Sequence, residues 1–160
     1  MNPPAHRATT SHENSGFWYT TICSYFRGNP ILQRHARKVD WSALKQAYAA
    51  SGWDNGRSPE ELRRAFENSF RVCFAWHAGR IVGTARAISD GVRCAAVFDV
   101  WVTPELRRLG IGRQMMEALL ADLAGQFVIL TTEVEAFYRP FGFRERRAMV
   151  IPDNHPSPSP

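Results

Sequence analysis

The sequence predicts one mixed α/β domain, with a central, mostly antiparallel sheet of about six to seven strands and about four helices. Three observations lead there. Two stretches in the first half carry helix-start residues followed by apolar residues at helical spacing. Consecutive strand-like runs between Arg71 and Val102 are joined by short turns. The last of those runs leads through a basic, glycine-punctuated loop into an amphipathic helix. A chain of 160 residues with 44% hydrophobic and 22% charged residues suits one domain with a sizeable core.

The elements follow in order. Residues 1–29 read as an N-terminal extension that is partly disordered, because Met1 to Ser15 is polar and carries Pro3 and Pro4. Phe17 to Phe26 is aromatic and suits an extra strand, a partner-binding segment or the product of an upstream start codon. The folded domain is expected over 30–152. It starts with a strand from Ile31 to Arg37. Asp40 can cap a helix to about Ala50, with Trp41, Leu44, Ala47 and Tyr48 at helical spacing. Gly52 to Arg57 is rich in turn residues. Ser58-Pro59-Glu60-Glu61 is a capping box with proline at the first helical position, opening a helix to about Ser69.

Strands are expected at Arg71 to Trp76, Arg80 to Ile88 and Arg93 to Val102, an antiparallel meander turning at His77-Ala78-Gly79 and Ser89-Asp90-Gly91. A helix from Gly112 to about Ala124 follows. Then come a strand from Phe127 to Leu130, a short helix from Glu133 to Pro140, and a last strand from Phe143 to Ile151. Residues 153–160 form a proline-rich tail that is not expected to fold. The chain contains no internal repeat and no sign of a second domain.

The richest stretch is Val100 to Arg113. Its helix start leaves backbone N–H groups without intrahelical partners, with positive dipole character that suits a phosphate. Gly110 and Gly112 lack a Cβ and let the main chain approach an anion. Arg107, Arg108 and Arg113 add charge at the same place. A dinucleotide fingerprint would need a third glycine where Met115 stands, and no P-loop string occurs. What remains is R-x-x-G-x-G from Arg107 to Gly112. On that string the sequence resembles the GNAT superfamily of N-acetyltransferases, whose acetyl-CoA signature is R/Q-x-x-G-x-G/A after the fourth strand. Ala136-Phe137-Tyr138-Arg139-Pro140-Phe141-Gly142-Phe143 resembles the family's second signature, one helix and one strand downstream. Read without the family, the first string is an ordinary glycine turn before a helix. The second is then an aromatic cluster packing a C-terminal helix.

The resemblance covers about Ile31 to Ile151 and implies a GNAT fold with acetyl-CoA as co-substrate. It places the backbone of Val100, Trp101 and Val102 along the pantetheine arm, pairing like another strand and polarising the thioester carbonyl. It gives the cofactor loop to Arg107, Arg108, Leu109, Gly110, Ile111, Gly112 and Arg113. It stands Tyr138 near the coenzyme A sulfur as the hydrogen-bond donor to the departing thiolate. The Trp101 side chain fits either the core or the site. Asp99 lies among Val97, Phe98 and Val100 and is the candidate base, water-orienting group or ammonium receptor. The alternative is an ion pair with Arg93 or Arg86. Strand alternation separates Asp99 from Phe98, and a bulge would reverse that. Asp54, Asp90 and Glu105 are weaker candidates for the base. Trp53, Asp54 and Phe98 are the candidate acceptor-binding residues, joined by Trp41 and Arg57; aromatics with an acid suit an arylalkylamine, a polyamine or an amino sugar.

The expected activity is acetyl transfer from acetyl-CoA to a primary amine of a small molecule. The alternatives are a protein or peptide N-acetyltransferase and a non-catalytic acyl-CoA-binding regulatory module. The net charge of +5 comes without a long Lys/Arg run, so a nucleic-acid partner is not expected. Arg144 to Arg147 reads as a solvated strand end. Cys23, Cys73 and Cys94 show no C-x-x-C spacing and suit a reducing cytoplasm. The histidines lack metal-ligand spacing, so no metal is expected. No run reaches membrane-spanning length and the N-terminus lacks a signal-peptide pattern. A monomer or homodimer is expected.

Overall fold

A computed structural model describes residues 31–32, 39–54 and 56–149. The N-terminal extension with its Phe17 to Phe26 segment, and the proline-rich tail, fall outside these residues. The sheet runs β1 (Ile31–Leu32), β2 (Arg71–His77), β3 (Arg80–Ser89), β4 (Cys94–Val102) and β5 (Phe127–Ile129), adjacent in that order. Each pair is antiparallel except β4 with β5, which is parallel.

Local chemistry sets the helices. In α1 (Trp41–Ala50), the Asp40 carboxylate accepts the Ala43 N–H at 2.9 Å. In α2 (Pro59–Glu67) the capping box closes both ways, with Glu61 N–H donating to Ser58 Oγ and Ser58 N–H donating to Glu61 Oε2. The β2–β3 hairpin turns at Ala78 and Gly79, both with positive φ (47° and 78°), as a two-residue turn matched to strand twist requires. Asp90 Oδ1 holds the β3–β4 turn by accepting the N–H groups of Val92, Arg93 and Cys94.

The two sheet faces differ. One is lined by Cys73, Ala75, Ala85, Ala87, Ala95 and Val97, and on it lies α3 (Ile111–Asp122) through Ile111, Met115, Met116 and Leu119. Small strand residues let the long methionines fill the gap. The other face meets α1 and α2, where Leu44, Tyr48, Leu62 and Trp101 form a second buried cluster. Tyr48 and Trp101 pack edge-on at 4.9 Å, and Trp101 Nε1 donates to Ser51 Oγ at 2.9 Å. The tryptophan side chain thus belongs to the core.

The segment expected as a last strand differs. Residues 143–149 form no strand, so the described sheet has five strands. The run Arg144-Glu145-Arg146-Arg147 has no apolar alternation to define a buried face. Phe143 instead folds back on the Tyr138 ring at 5.9 Å.

Candidate active site

The strands β4 and β5 pair only where they begin, Cys94 to Ala96 against Phe127 to Ile129. Beyond Ala96, β4 continues to Val102 without β5 beside it. Thr103 N–H donates to the Val82 carbonyl on β3. By alternation, the N–H and C=O of Val100 and Val102 point away from β3, toward the open edge. The Arg107 side chain confirms that direction, donating from Nε to the Val102 carbonyl at 3.0 Å.

A bulge lies at the start of this open stretch. Thr84 pairs with Trp101 and Arg86 with Phe98, so β4 carries one residue more than β3 between the two pairs. The extra residue includes Asp99, whose φ of +52° is in the left-handed region. The bulge resets the alternation, so Phe98, Asp99 and Trp101 all face α1 and α2, while Val100 and Val102 pack toward α3.

The Asp99 carboxylate, 8% exposed, is gripped twice. Arg57 approaches bidentately, with Nη2 to Oδ1 at 2.7 Å and Nη1 to Oδ2 at 3.0 Å, and Arg86 Nε donates to Oδ2. The Asp99 carbonyl accepts the Thr84 hydroxyl at 2.8 Å. Since Thr84 has spent its one proton there, the Tyr48 hydroxyl, 2.6 Å away, donates to Thr84 Oγ1. Burial holds the Tyr48 phenol well above its ordinary range, so it keeps that proton. Among the two alternatives for Asp99, the geometry presents the ion pair, with Arg86 as partner; Arg57 is a second, and Arg93 is not involved. The backing network of Arg57, Thr84 and Tyr48 was not foreseen. Its trace in the sequence is Thr84 and Arg86 at alternate positions of an otherwise small and apolar strand.

Next to the open edge, α3 begins. Gly110 is its N-cap with φ +83° and no side-chain cap, and the first helical bond runs from Gln114 N–H to Gly110 C=O. The N–H groups of Ile111, Gly112 and Arg113 come before it, at the positive end of the helix dipole. Arg107, Arg108 and Leu109 are exposed around this turn, Arg108 with φ +62°. Arg113 leans along the helix to Glu117 at 2.8 Å. The turn presents donors, charge and open backbone, which fits a pyrophosphate.

Across the gap stands α4 (Glu135–Tyr138). Tyr138 is buried, and burial raises its phenol above the ordinary range. Its ring is held between Phe137 at 4.8 Å and Phe143 at 5.9 Å. Its hydroxyl has no hydrogen-bond partner among the described residues.

On the α1–α2 side, Trp53 packs edge-on against Tyr48 at 4.8 Å. Asp54 is paired with Lys45 and also accepts the Gly56 N–H at 2.9 Å, and the Lys45 contact first, then that N–H, holds its carboxyl below the ordinary range. Phe98 is 41% exposed beside the bulge, with the Arg86 guanidinium 5.0 Å from its ring centre. Ile129, 53% exposed, shares that face, because its partner Ala96 and Phe98 alternate to the same side. Asp90 is committed to its turn, and Glu105 accepts the Thr103 hydroxyl between β4 and α3. Among the described residues no group of three His, Cys, Asp or Glu side chains could hold a metal ion, and no helix is long and apolar enough to cross a membrane.

Known proteins resemble this chain in sequence and fold. The chain is 40% identical over 121 residues to serotonin N-acetyltransferase 2, chloroplastic, of Oryza sativa subsp. japonica, a match covering 70% of this chain and 60% of that protein. The chain thus spans about three fifths of that relative's length. An acetyltransferase of the GNAT family from Streptococcus pneumoniae superposes with a TM-score of 0.61 at 28% identity, covering 75% of this chain and 96% of that one. A Mycobacterium tuberculosis protein solved in complex with CoA shares the fold, with a TM-score of 0.61, 24% identity, and coverage of 77% and 76%. The model of the Acetyltransferase (GNAT) family matches residues 38–143, and with the splayed strands, the bulge and the glycine turn in place the chain belongs to that family.

Proposed function

We propose that this protein is an acetyl-CoA-dependent N-acetyltransferase acting on a primary amine of a small molecule with an aromatic or apolar body. The observation that carries this reading is the open edge of β4, which begins at a bulge and ends beside the uncapped start of α3. The edge supplies backbone N–H and C=O groups at Val100 and Val102 for the pantetheine amides. The turn from Arg107 to Arg113 supplies the phosphate contacts. In this reading the Val100 N–H, on the open edge beside the bulge, is the donor assigned to the thioester oxygen as it gains negative charge.

In the reaction the amine nitrogen bonds to the thioester carbon, the C–S bond breaks, and the amine gives up a proton. Asp99 is already engaged by two guanidiniums, so its assigned role is to hold the bulge, and the amine proton passes to water. Two guanidiniums facing one carboxylate also disfavour an ammonium nearby, which promotes the neutral, nucleophilic amine. Tyr138 donates a hydrogen bond to the departing sulfur. Its raised pKa keeps the proton on oxygen, so the hydrogen bond stabilises a thiolate without full transfer.

The acceptor body is assigned to Phe98, Ile129 and Trp53. The name of the rice relative, a serotonin N-acetyltransferase, supports an arylalkylamine acceptor. A protein acceptor is the second reading, because Ile88, Phe98 and Ile129 form an exposed apolar strip on one sheet face. The test is calorimetric titration with acetyl-CoA beside Arg107→Ala, followed by free-thiol release with arylalkylamines, polyamines and a lysine peptide. Binding weakened about tenfold by the variant, with turnover on arylalkylamines, supports the proposal. Folded wild-type protein that binds no acetyl-CoA refutes it, and turnover on the peptide alone moves the assignment to protein acetylation.

A further inference from the structure

The two glycines of the turn meet different demands. Gly110 has φ +83°, and a Cβ built there would meet only Gln114 Nε2, at 3.8 Å. Its requirement is conformational. Gly112 is inside the first turn of α3 and outside the left-handed region, where alanine would be the better helix former. A Cβ on Gly112 would lie 3.3 Å from Cζ and 3.5 Å from Cε2 of Phe137, with Val102 Cγ2 at 3.6 Å. The Phe137 ring therefore fills the notch that the missing side chain leaves.

That ring is also the neighbour of the proposed donor. Phe137 meets the Tyr138 ring edge-on at 4.8 Å and an interplanar angle of 83°. Phe141 stands on Phe137 at 5.6 Å, and Phe143 stands on Tyr138 at 5.9 Å. Aromatic packing on both rings limits how far Phe137 can retreat without carrying Tyr138 with it.

We propose that Gly112 and Phe137 are positioning residues: the notch at Gly112 seats the Phe137 ring, and that seat sets where the Tyr138 hydroxyl stands relative to the reacting sulfur. The inference rests on the acetyltransferase reading and on the role given to Tyr138. It gives Gly112 a task beyond admitting a phosphate, and it ties the turn that binds the cofactor to the group that assists its departure.

The test is a set of kinetic comparisons on the full chain, with circular dichroism to verify folding. Gly112→Ala is expected to lower kcat about three- to tenfold at saturating acetyl-CoA, since it displaces Phe137 by tenths of an ångström, a loss separate from any change in the acetyl-CoA dissociation constant. Phe137→Leu trims the opposing ring, so in that background Gly112→Ala is expected to lower kcat less than about twofold. In a Tyr138→Phe background, Gly112→Ala is expected to change kcat no further. Three results would overturn the inference: weaker acetyl-CoA binding that accounts for the whole loss, the same loss in the Phe137→Leu background, or the same loss without the Tyr138 hydroxyl. If Gly112→Ala does not fold, Gly112→Ala/Phe137→Leu must fold and turn over, and its failure also overturns the inference. Wild-type protein inactive with every amine would defeat the acetyltransferase reading itself, a distinct result.

Discussion

Replacing Asp99 by asparagine separates a structural anchor from a general base. Asparagine has the same shape and tolerates the left-handed φ of +52° at this position, so the substitution removes charge without moving the backbone. In the folded protein it leaves Arg57 and Arg86 facing each other across a neutral amide. The Arg86 and Asp99 side chains are 10% and 8% exposed, and Arg57 is 22% exposed, so solvent can relieve only one of the two cations well. Breaking a buried pair costs roughly 3–5 kcal/mol, and the isosteric amide and the partly wetted Arg57 put Asp99→Asn near 3 kcal/mol. For a domain of this size that corresponds to a fall in Tm of about 6–12 °C. Differential scanning calorimetry at pH 7 measures it, beside kcat from thiol release. A base would behave differently, with a loss of about a hundredfold or more in kcat and little change in stability. A Tm lowered by less than about 2 °C together with such a loss would refute the anchor and restore the base.

Other outcomes follow from the same geometry. Tyr138→Phe is expected to lower kcat about tenfold or more while acetyl-CoA affinity in calorimetry stays nearly unchanged; equal turnover would remove Tyr138 from the mechanism. Burial pushes the Cys73 thiol up to about 12. Because its folded pKa is raised, the unfolded thiol ionises first. The stability linked to it is complete below about pH 8.5 and is lost as pH rises toward 12, by about 1.4 kcal/mol per pH unit. Cys73→Ala should flatten the fall of Tm between pH 9 and 10, and an unchanged slope would exclude this cause. Ser58→Ala should destabilise by about 0.5–2 kcal/mol, read as a midpoint shift in urea unfolding with unchanged kcat.

Much of this architecture was legible in the residues. Asp40 and the Ser58–Glu61 box marked the two helix starts, because cap chemistry is local and the sequence carries it whole. The turns at Ala78-Gly79 and Asp90-Gly91 marked the meander for the same reason. The glycine turn before α3 was legible because Gly110 and Gly112, spaced after Arg107, mark a backbone turn opening a helix. What escaped was set by tertiary contact. Asp99 was singled out as an acid among apolar neighbours, but its partner Arg57 lies on the α1–α2 loop, and only folding brings them together. The bulge leaves no local mark in Phe98-Asp99-Val100, since it is defined by register against β3. Over its described residues, 143–149, the strand expected from Phe143 to Ile151 does not form, because four consecutive charged residues give no face to bury.

The divergence of β4 from β5 has a cost that the catalytic gap makes necessary. A strand with unpaired amides and carbonyls is a template for any other extended chain, and such edges seed self-association. Here the exposed stretch is short, the bulge bends it out of the flat geometry that a second strand would need, and the Arg107 side chain sits on the Val102 carbonyl. These are the devices by which soluble sheets guard their rims. A bound pantetheine arm would occupy the same groups, so the ligand doubles as a molecular stopper. The protein should then be most prone to clump when starved of its acyl donor and most soluble when saturated with it.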